Sequence, residues 1–369
     1  MFSNRIQDLK SSPIREILSV INQPGMISFA GGLPASESFP SLSLHNIPNS
    51  ALQYGASEGD EALRIQVAQE MAAIGLHCKP EQVLILSGSQ QGLDLVAKLM
   101  IDQGTQVAVE SPTYLAALQV FGFFGAKFVP ITASVLPNLT YAIPSFQNPS
   151  GHCMSLAQRQ DLARRCDQSN SLLLEDDPYR DLVYDDCHRT PVCAWLKSAP
   201  WVYLGSFSKT MLPGLRLGFL VASENLITPL TRLKQAADLH SNRLSQWLVL
   251  GLLQHPERTQ RMAQLIANYR HKRDAFDDRL KHYFSEFANW DTPAGGLFYW
   301  ITLKETNKGK TDTRALLPRA IEQGVAFMPG EPFMPFSSSP TGQIRLNFSH
   351  ASEAQMDAGL KKLAAIFQS

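Results

Sequence analysis

The chain has 369 residues, 44% hydrophobic and 18% charged, enough for two domains with a sizeable core. Its 33 basic side chains equal its 33 acidic ones, so charge gives no case for nucleic acid or a membrane surface as partner. Cys78, Cys153, Cys166, Cys187 and Cys193 are odd in number and form no C-x-x-C pair; they read as free thiols in a reducing compartment, with no metal site.

Taken in chain order, the stretch Met1 to Asp8 lacks the apolar core of a signal peptide. From about residue 60 to 225 strands and helices alternate. Val83–Leu86 reads as a strand and the next helix runs through Leu93 to Met100. Val107–Val109, Phe128–Ile131 and Leu139–Ile143 are further strands. Ser155 to Gln158 is a capping box opening a helix to Cys166. Leu172–Leu174, Trp201–Leu204 and Leu217–Val221 complete the series. Continuous apolar strands between helices indicate an α/β fold with a mostly parallel sheet covered on both faces. After Gly251 the texture changes. Residues 256–287 form a long charged amphipathic helix, Leu297–Ile301 a strand, Arg314–Gln323 a helix, Ile344–Phe348 a strand, and a last helix starts at Glu353. This is a smaller α+β unit. The longest apolar stretch, near Trp247–Leu253, is far short of a membrane span, and a cytoplasmic protein is expected.

Lys209 concentrates the chemistry. It ends Ser206-Phe207-Ser208-Lys209, just past a strand, and Arg216 follows seven positions later. An amine can bond covalently to an aldehyde, while two hydroxyls and a guanidinium can hold a phosphate. Pyridoxal phosphate (PLP) carries both groups. The C-terminal edge of an open α/β sheet is where ligands bind. Glu175-Asp176-Asp177-Pro178-Tyr179 follows another strand; a carboxylate there can keep a pyridine nitrogen protonated, and three consecutive acids call for a cationic neighbour. Ser87-Gly88-Ser89-Gln90-Gln91-Gly92 can cradle an anion at a helix N-terminus, or be a plain capped turn. Asn148, before Pro149, can donate to the cofactor's ring oxygen or mark an Asn-Pro turn. Tyr114 can stack on the ring or fill core. Arg345 alternates with Ile344, Leu346 and Phe348, and is either a carboxylate clamp or an exposed strand arginine.

Together, Gly88-Ser89-Gln90-Gln91-Gly92, Pro144 to Pro149, Glu175 to Tyr179, Ser206 to Lys209 and Arg345 resemble, in order and over nearly the whole chain, the class I/II aminotransferases. The branch it most resembles is that of the 2-aminoadipate/kynurenine aminotransferases, related to the aminotransferase domain of MocR-type regulators. The resemblance implies a fold-type I PLP-dependent transferase with a mostly parallel seven-stranded sheet sandwiched by helices, plus a small α+β domain. Residues 1–45 would pack with the small domain and active site, 46–255 form the large PLP-binding domain, and 256–369 the small one. It implies that Lys209 bonds the cofactor and acts with Asp176 and Tyr179 in catalysis. Ser89, Gln90, Ser206, Ser208 and Arg216 would bind phosphate, and Tyr54 would reach that phosphate from the partner of a homodimer. Tyr114 would stack on the ring, with Asn148 and Tyr179 on its hydroxyl. Arg345, Asn148 and Gly32 would bind substrate. Arg15, in Ser12-Pro13-Ile14-Arg15, would meet a distal substrate group or stay solvated. Ser111-Pro112 and Asn148-Pro149 fall where the family often has cis peptides. One departure is the short connection Thr132–Asn138, where relatives carry a helix; the sites on either side are intact.

The activity implied is ping-pong transfer of an amino group between an L-amino acid and a 2-oxo acid such as 2-oxoglutarate, without nucleic-acid or membrane partners. Phe29, Tyr114, Phe298 and Phe333 are candidates to line a pocket for aromatic, branched or long acidic side chains. β-Elimination or decarboxylation on the same scaffold is the alternative. A non-catalytic regulator is disfavoured because too few residues precede Gly31-Gly32 for a winged-helix domain.

Overall fold

The structure, a computed structural model, describes residues 2, 4–7, 25–42, 44–305, 309–337 and 339–368. Strands β1 (Ile27–Ser28), β2 (Val83–Leu86), β3 (Gln106–Val109), β4 (Lys127–Pro130), β5 (Leu139–Ala142), β6 (Leu172–Asp176), β7 (Trp201–Ser206), β8 (Gly218–Ala222), β9 (Ala288–Asn289), β10 (Phe298–Leu303), β11 (Val325–Ala326), β12 (Met328–Pro329) and β13 (Gln343–Asn347) follow in chain order.

Among the described residues β2 to β8 build a seven-stranded sheet in the order β2-β8-β7-β6-β5-β3-β4. Five strands, β3 to β7, pair in parallel, and β8 runs antiparallel to both β2 and β7. The side-chain alternation of each strand feeds two cores. Leu84, Leu86, Val107, Val109, Leu139, Tyr141, Leu174 and Leu204 face the helices Ser89–Met100, Leu115–Phe123 and Glu224–Asp238. Val83, Ile85, Ala108, Leu173, Tyr203 and Val221 face Glu61–Ala73, Leu156–Ser169 and Arg243–Leu253. Apolar residues at every position thus mark a sheet buried on both faces. The capping box forms: Ser155 Oγ accepts from the Gln158 amide, and Gln158 Oε1 from that of Ser155.

Beyond residue 257 the helix Arg258–Phe284 lies against the antiparallel sheet β12-β13-β10-β9. Leu265, Tyr269, Phe276, Leu280 and Phe284, at helical spacing, form its buried stripe. Phe276 stacks on Tyr299 at 5.4 Å, so aromatic rings join helix to sheet. β1 pairs in parallel with β11, tying residues 27 and 28 to this smaller unit. Thr132–Asn138 is a compact turn in which Leu136 is buried and its amide bonds Ser169 Oγ at 3.2 Å. Both Ser111-Pro112 and Asn148-Pro149 are cis. Among the described residues no helix is long and apolar enough to cross a membrane.

Candidate active site

The parallel strands end at one sheet edge, and the segments that leave it carry the expected site. Ser89 and Gln90 follow β2; Tyr114 follows β3. Asn148 follows β5, Asp176 and Tyr179 end and follow β6, and Ser206, Ser208 and Lys209 end and follow β7. All of these, with Gly32 and Arg216, line one cavity of about 300 Å³. No residue of Thr132–Asn138 lines it.

Backbone conformation shapes the anion cradle. Gly88 takes φ +87°, a conformation that favours glycine, and its missing Cβ leaves room for Arg216 Nη2, which would stand 2.9 Å from that atom. Arg216 itself is left-handed at φ 47° and exposed at the rim, where it donates to the Pro213 carbonyl at 3.4 Å. The Ser208 amide bonds Ser206 Oγ at 3.2 Å, fixing the two hydroxyl-bearing residues together. None of the ion pairs among the described residues includes Arg216 or Arg345.

The acidic triplet separates by strand alternation. Glu175 accepts from the Val192 and Cys193 amides at 3.0 and 2.8 Å. Asp177 takes the expected cation, Arg180, at 3.8 Å, and the Tyr203 hydroxyl at 3.3 Å. Asp176 points the other way, toward the cavity. Its Oδ2 accepts from the Tyr141 hydroxyl at 2.9 Å, and its buried Oδ1 has no partner. Burial foremost, with Asp177 adding, pushes the Asp176 carboxyl up to about 7, against the Tyr141 hydrogen bond. Burial likewise lowers the Lys209 amine to about 8, helped by the charges of Arg345 and Arg216. Lys209 Nζ donates to the Gly32 carbonyl at 3.0 Å and sits 5.6 Å from the Tyr179 ring centre.

Arg345 is buried, not an exposed strand arginine. Its Nη1 donates to Asn148 Oδ1 at 2.8 Å, its Nη2 donates to the Ala30 carbonyl, and its Nε is buried without a partner. Burial lowers it to about 10. With Lys209 and Arg216 nearby, the cleft holds more positive than negative groups and suits a ligand bearing several anions.

Two expectations shift. Phe29 does not line the cavity; it is fully buried and packs edge-on against Phe276 at 5.4 Å. Phe298 and Phe333 flank Arg345 instead, while Tyr114 does line the cavity. Tyr54 is 77% exposed, its ring 5.7 Å from His240, and it is not among the residues lining its own chain's cavity. Arg15 lies outside the described residues. Sequence reasoning missed Tyr141 and Glu110. Glu110 accepts from the Ile143 amide at 2.8 Å and so ties the segment after β3 to the one before Asn148. A hydroxyl inside one apolar strand run and a carboxyl at the end of another were the available signals.

The residues present suit pyridoxal phosphate. A buried carboxylate oxygen lacks a donor, an arginine without a carboxylate partner closes a glycine cradle, and a lysine with a lowered pKa lines the same cavity. The fold is that of the fold-type I PLP-dependent transferases: a kynurenine aminotransferase from Pyrococcus horikoshii, solved with PMP, superposes with TM-score 0.91 at 29% identity, covering 100% of this chain and 97% of that one. The chain belongs to the aminotransferase class I and II family, whose model matches residues 32–363. It is 33% identical to an aromatic-amino-acid aminotransferase of Thermococcus litoralis (98% of this chain, 93% of the relative). It is 35% identical to a 2-aminoadipate transaminase of Thermus thermophilus (96% and 93%). The protein is a PLP-dependent aminotransferase.

Proposed function

We propose that this chain acts as a homodimer that moves an amino group between an L-amino acid, aromatic, branched or 2-aminoadipate-like, and a 2-oxo acid such as 2-oxoglutarate. The observation that carries the reading is the convergence of Lys209 and Asp176 on one cavity that Arg345 joins through Asn148. The names of the two relatives support the donor class. In this reading Ser89, Gln90, Ser206, Ser208 and Arg216 hold the phosphate. Asp176 would receive the ring nitrogen, Asn148 and Tyr179 the ring oxygen, and Tyr114 would cover the ring.

When bound, the cofactor supplies an aldehyde for the amine and a ring that takes up the electron pair left by the α-proton. Arg345 clamps the substrate α-carboxylate through two parallel N–H donors, exchanging Asn148 and Ala30 for the incoming oxygens. That clamp aims the Cα–H bond at Lys209. Lys209 Nζ, uncharged above its lowered pKa, accepts that proton. Without cofactor the amine rests on the carbonyl of Gly32.

In this reading the chain divides at residues 45 and 255; Arg345 comes from the smaller unit and Lys209 from the larger, and the site lies where the two meet through the Arg345–Asn148 hydrogen bond. Exposed Tyr54 would serve the partner's phosphate. Five free cysteines favour a reducing, cytoplasmic setting. A panel of amino donors tested against 2-oxoglutarate and pyruvate checks the reading. Glutamate should appear from bulky or acidic donors, and no product with any donor and either acceptor would end it.

A further inference from the structure

Asp176 presents two unequal oxygens. Tyr141 holds one of them and leaves the other bare. Tyr141 has little freedom. Its backbone pairs with Val109 on one side and Leu174 on the other, inside the sheet. Its ring is fully buried and meets Phe121 edge-on at 5.5 Å. Burial first, and then Asp176, push the phenol far above its ordinary range, so it remains a proton donor at any working pH.

Packing alone does not require the hydroxyl. A phenylalanine would fill the same space, and the buried O–H has one partner, the Asp176 carboxylate. The groups that act on Asp176 or feel its charge are Tyr141 on β5, Asp177 beside it, Tyr114 after β3 and Tyr179 after β6. Of these, Tyr141 is the donor that lowers the carboxyl's proton affinity; burial and Asp177 raise it. A carboxyl left to burial would keep its own proton and offer a pyridine nitrogen no negative charge.

We propose that Tyr141 is a positioning residue for the cofactor ring: its hydroxyl fixes Asp176 Oδ2, aims Oδ1 into the cavity, and biases the proton shared with the ring nitrogen toward nitrogen. The inference rests on the reading that Asp176 receives that nitrogen. Tyr203 is an internal comparison, a second buried tyrosine that donates to Asp177 and faces the opposite core.

The test compares Tyr141→Phe, Tyr203→Phe and Asp176→Asn in the full chain. The dissociation constant of PLP from the apo-protein is measured, with the pH midpoint of the visible band in the loaded protein and the thermal midpoint. The carboxylic-acid C=O stretch of the apo-protein is followed against pH by infrared difference. Tyr141→Phe should weaken PLP binding about 10-fold, as expected for losing a hydrogen bond to a charged group. It should move the carboxyl titration to higher pH, shift the visible-band midpoint, and lower kcat while KM for the amino donor changes little. Tyr203→Phe should leave PLP affinity and the band midpoint unchanged. Wild-type affinity and an unmoved midpoint in Tyr141→Phe would overturn the inference, as would equal effects of both tyrosine variants, which would signal a purely structural role. If Asp176→Asn loses PLP affinity and Tyr141→Phe does not, only the inference about Tyr141 fails. If Asp176→Asn has no effect, the reading of Asp176 fails and takes this one with it.

Discussion

The Arg345 guanidinium lies 4.3 Å from the centre of the Phe298 ring and 5.2 Å from that of Phe333. Two aromatic faces, an amide oxygen and a carbonyl therefore hold a buried cation that has no carboxylate partner. A lysine cannot form the two parallel bonds, so Arg345→Lys should raise KM for the amino donor about 10- to 100-fold. Phe298→Leu removes one face, worth about 1 kcal/mol, and should raise KM roughly fivefold. Steady-state kinetics with the best donor reads both. An unchanged KM in Arg345→Lys would remove the carboxylate clamp.

Lys209 must be neutral to attack an aldehyde. With its amine lowered to about 8, the rate at which apo-protein takes up PLP should climb as pH rises toward 8 and level off above it. Stopped-flow absorbance across that range checks this. A rate still climbing at pH 10 would mean that burial does not lower the amine.

Glu110 is buried and burial pushes it from 4.5 to about 7. A raised carboxyl binds more protons folded than unfolded between those values. Its contribution is therefore complete below about 4.5 and is lost as pH rises through 7, roughly 3 kcal/mol in all. Glu110→Gln copies the protonated form and should flatten the fall in apo-protein stability over that window. Urea unfolding at several pH values measures the slope, and identical slopes would contradict the assignment.

Cys153 is half-buried, and the Cys187 side chain and then Arg159, whose Nη2 donates to Cys153 Sγ at 3.6 Å, hold its thiol well below the ordinary range. Burial raises Cys166 and Cys193. Iodoacetamide near neutral pH should mark Cys153 first and spare the two buried thiols, read by peptide mass mapping. Preferential labelling of Cys166 would contradict this.

Tyr54 bears on the dimer. Mixing Tyr54→Ala with Lys209→Ala, each impaired alone, should recover about a quarter of the activity per subunit, because one site in each hybrid is intact if Tyr54 crosses the two-fold axis. No recovery would mean that Tyr54 serves its own chain or no site.

Much of this arrangement was legible in the sequence for a physical reason. Strands buried on both faces read as apolar runs, and groups at their C-terminal ends fall together whichever helices intervene. That logic located Lys209, Asp176 and Asn148 at one edge. Strand ends moved by a residue or two, as at β6, which runs on through Glu175, whose carboxyl takes two backbone amides, and Asp176, one oxygen of which takes a tyrosine hydroxyl. Contacts across the fold were not legible. Nothing local tells that Phe298 and Phe333 would both lie against Arg345, that Phe29 would sink against Phe276, or that Tyr141 would reach Asp176 from the neighbouring strand. Those depend on register and on the closeness of the two units.

The Lys209 amine and the Asp176 carboxylate together are expected to run one half of an amino-group exchange. The most direct measurement is a single turnover: PLP-loaded protein mixed with an amino donor and no acceptor, with products counted per subunit. One equivalent of 2-oxo acid, no free ammonia and loss of the visible band are expected, with the unmodified result abolished in Lys209→Ala. Ammonia released with the oxo acid, or turnover that persists in Lys209→Ala, would contradict a transamination run by Lys209.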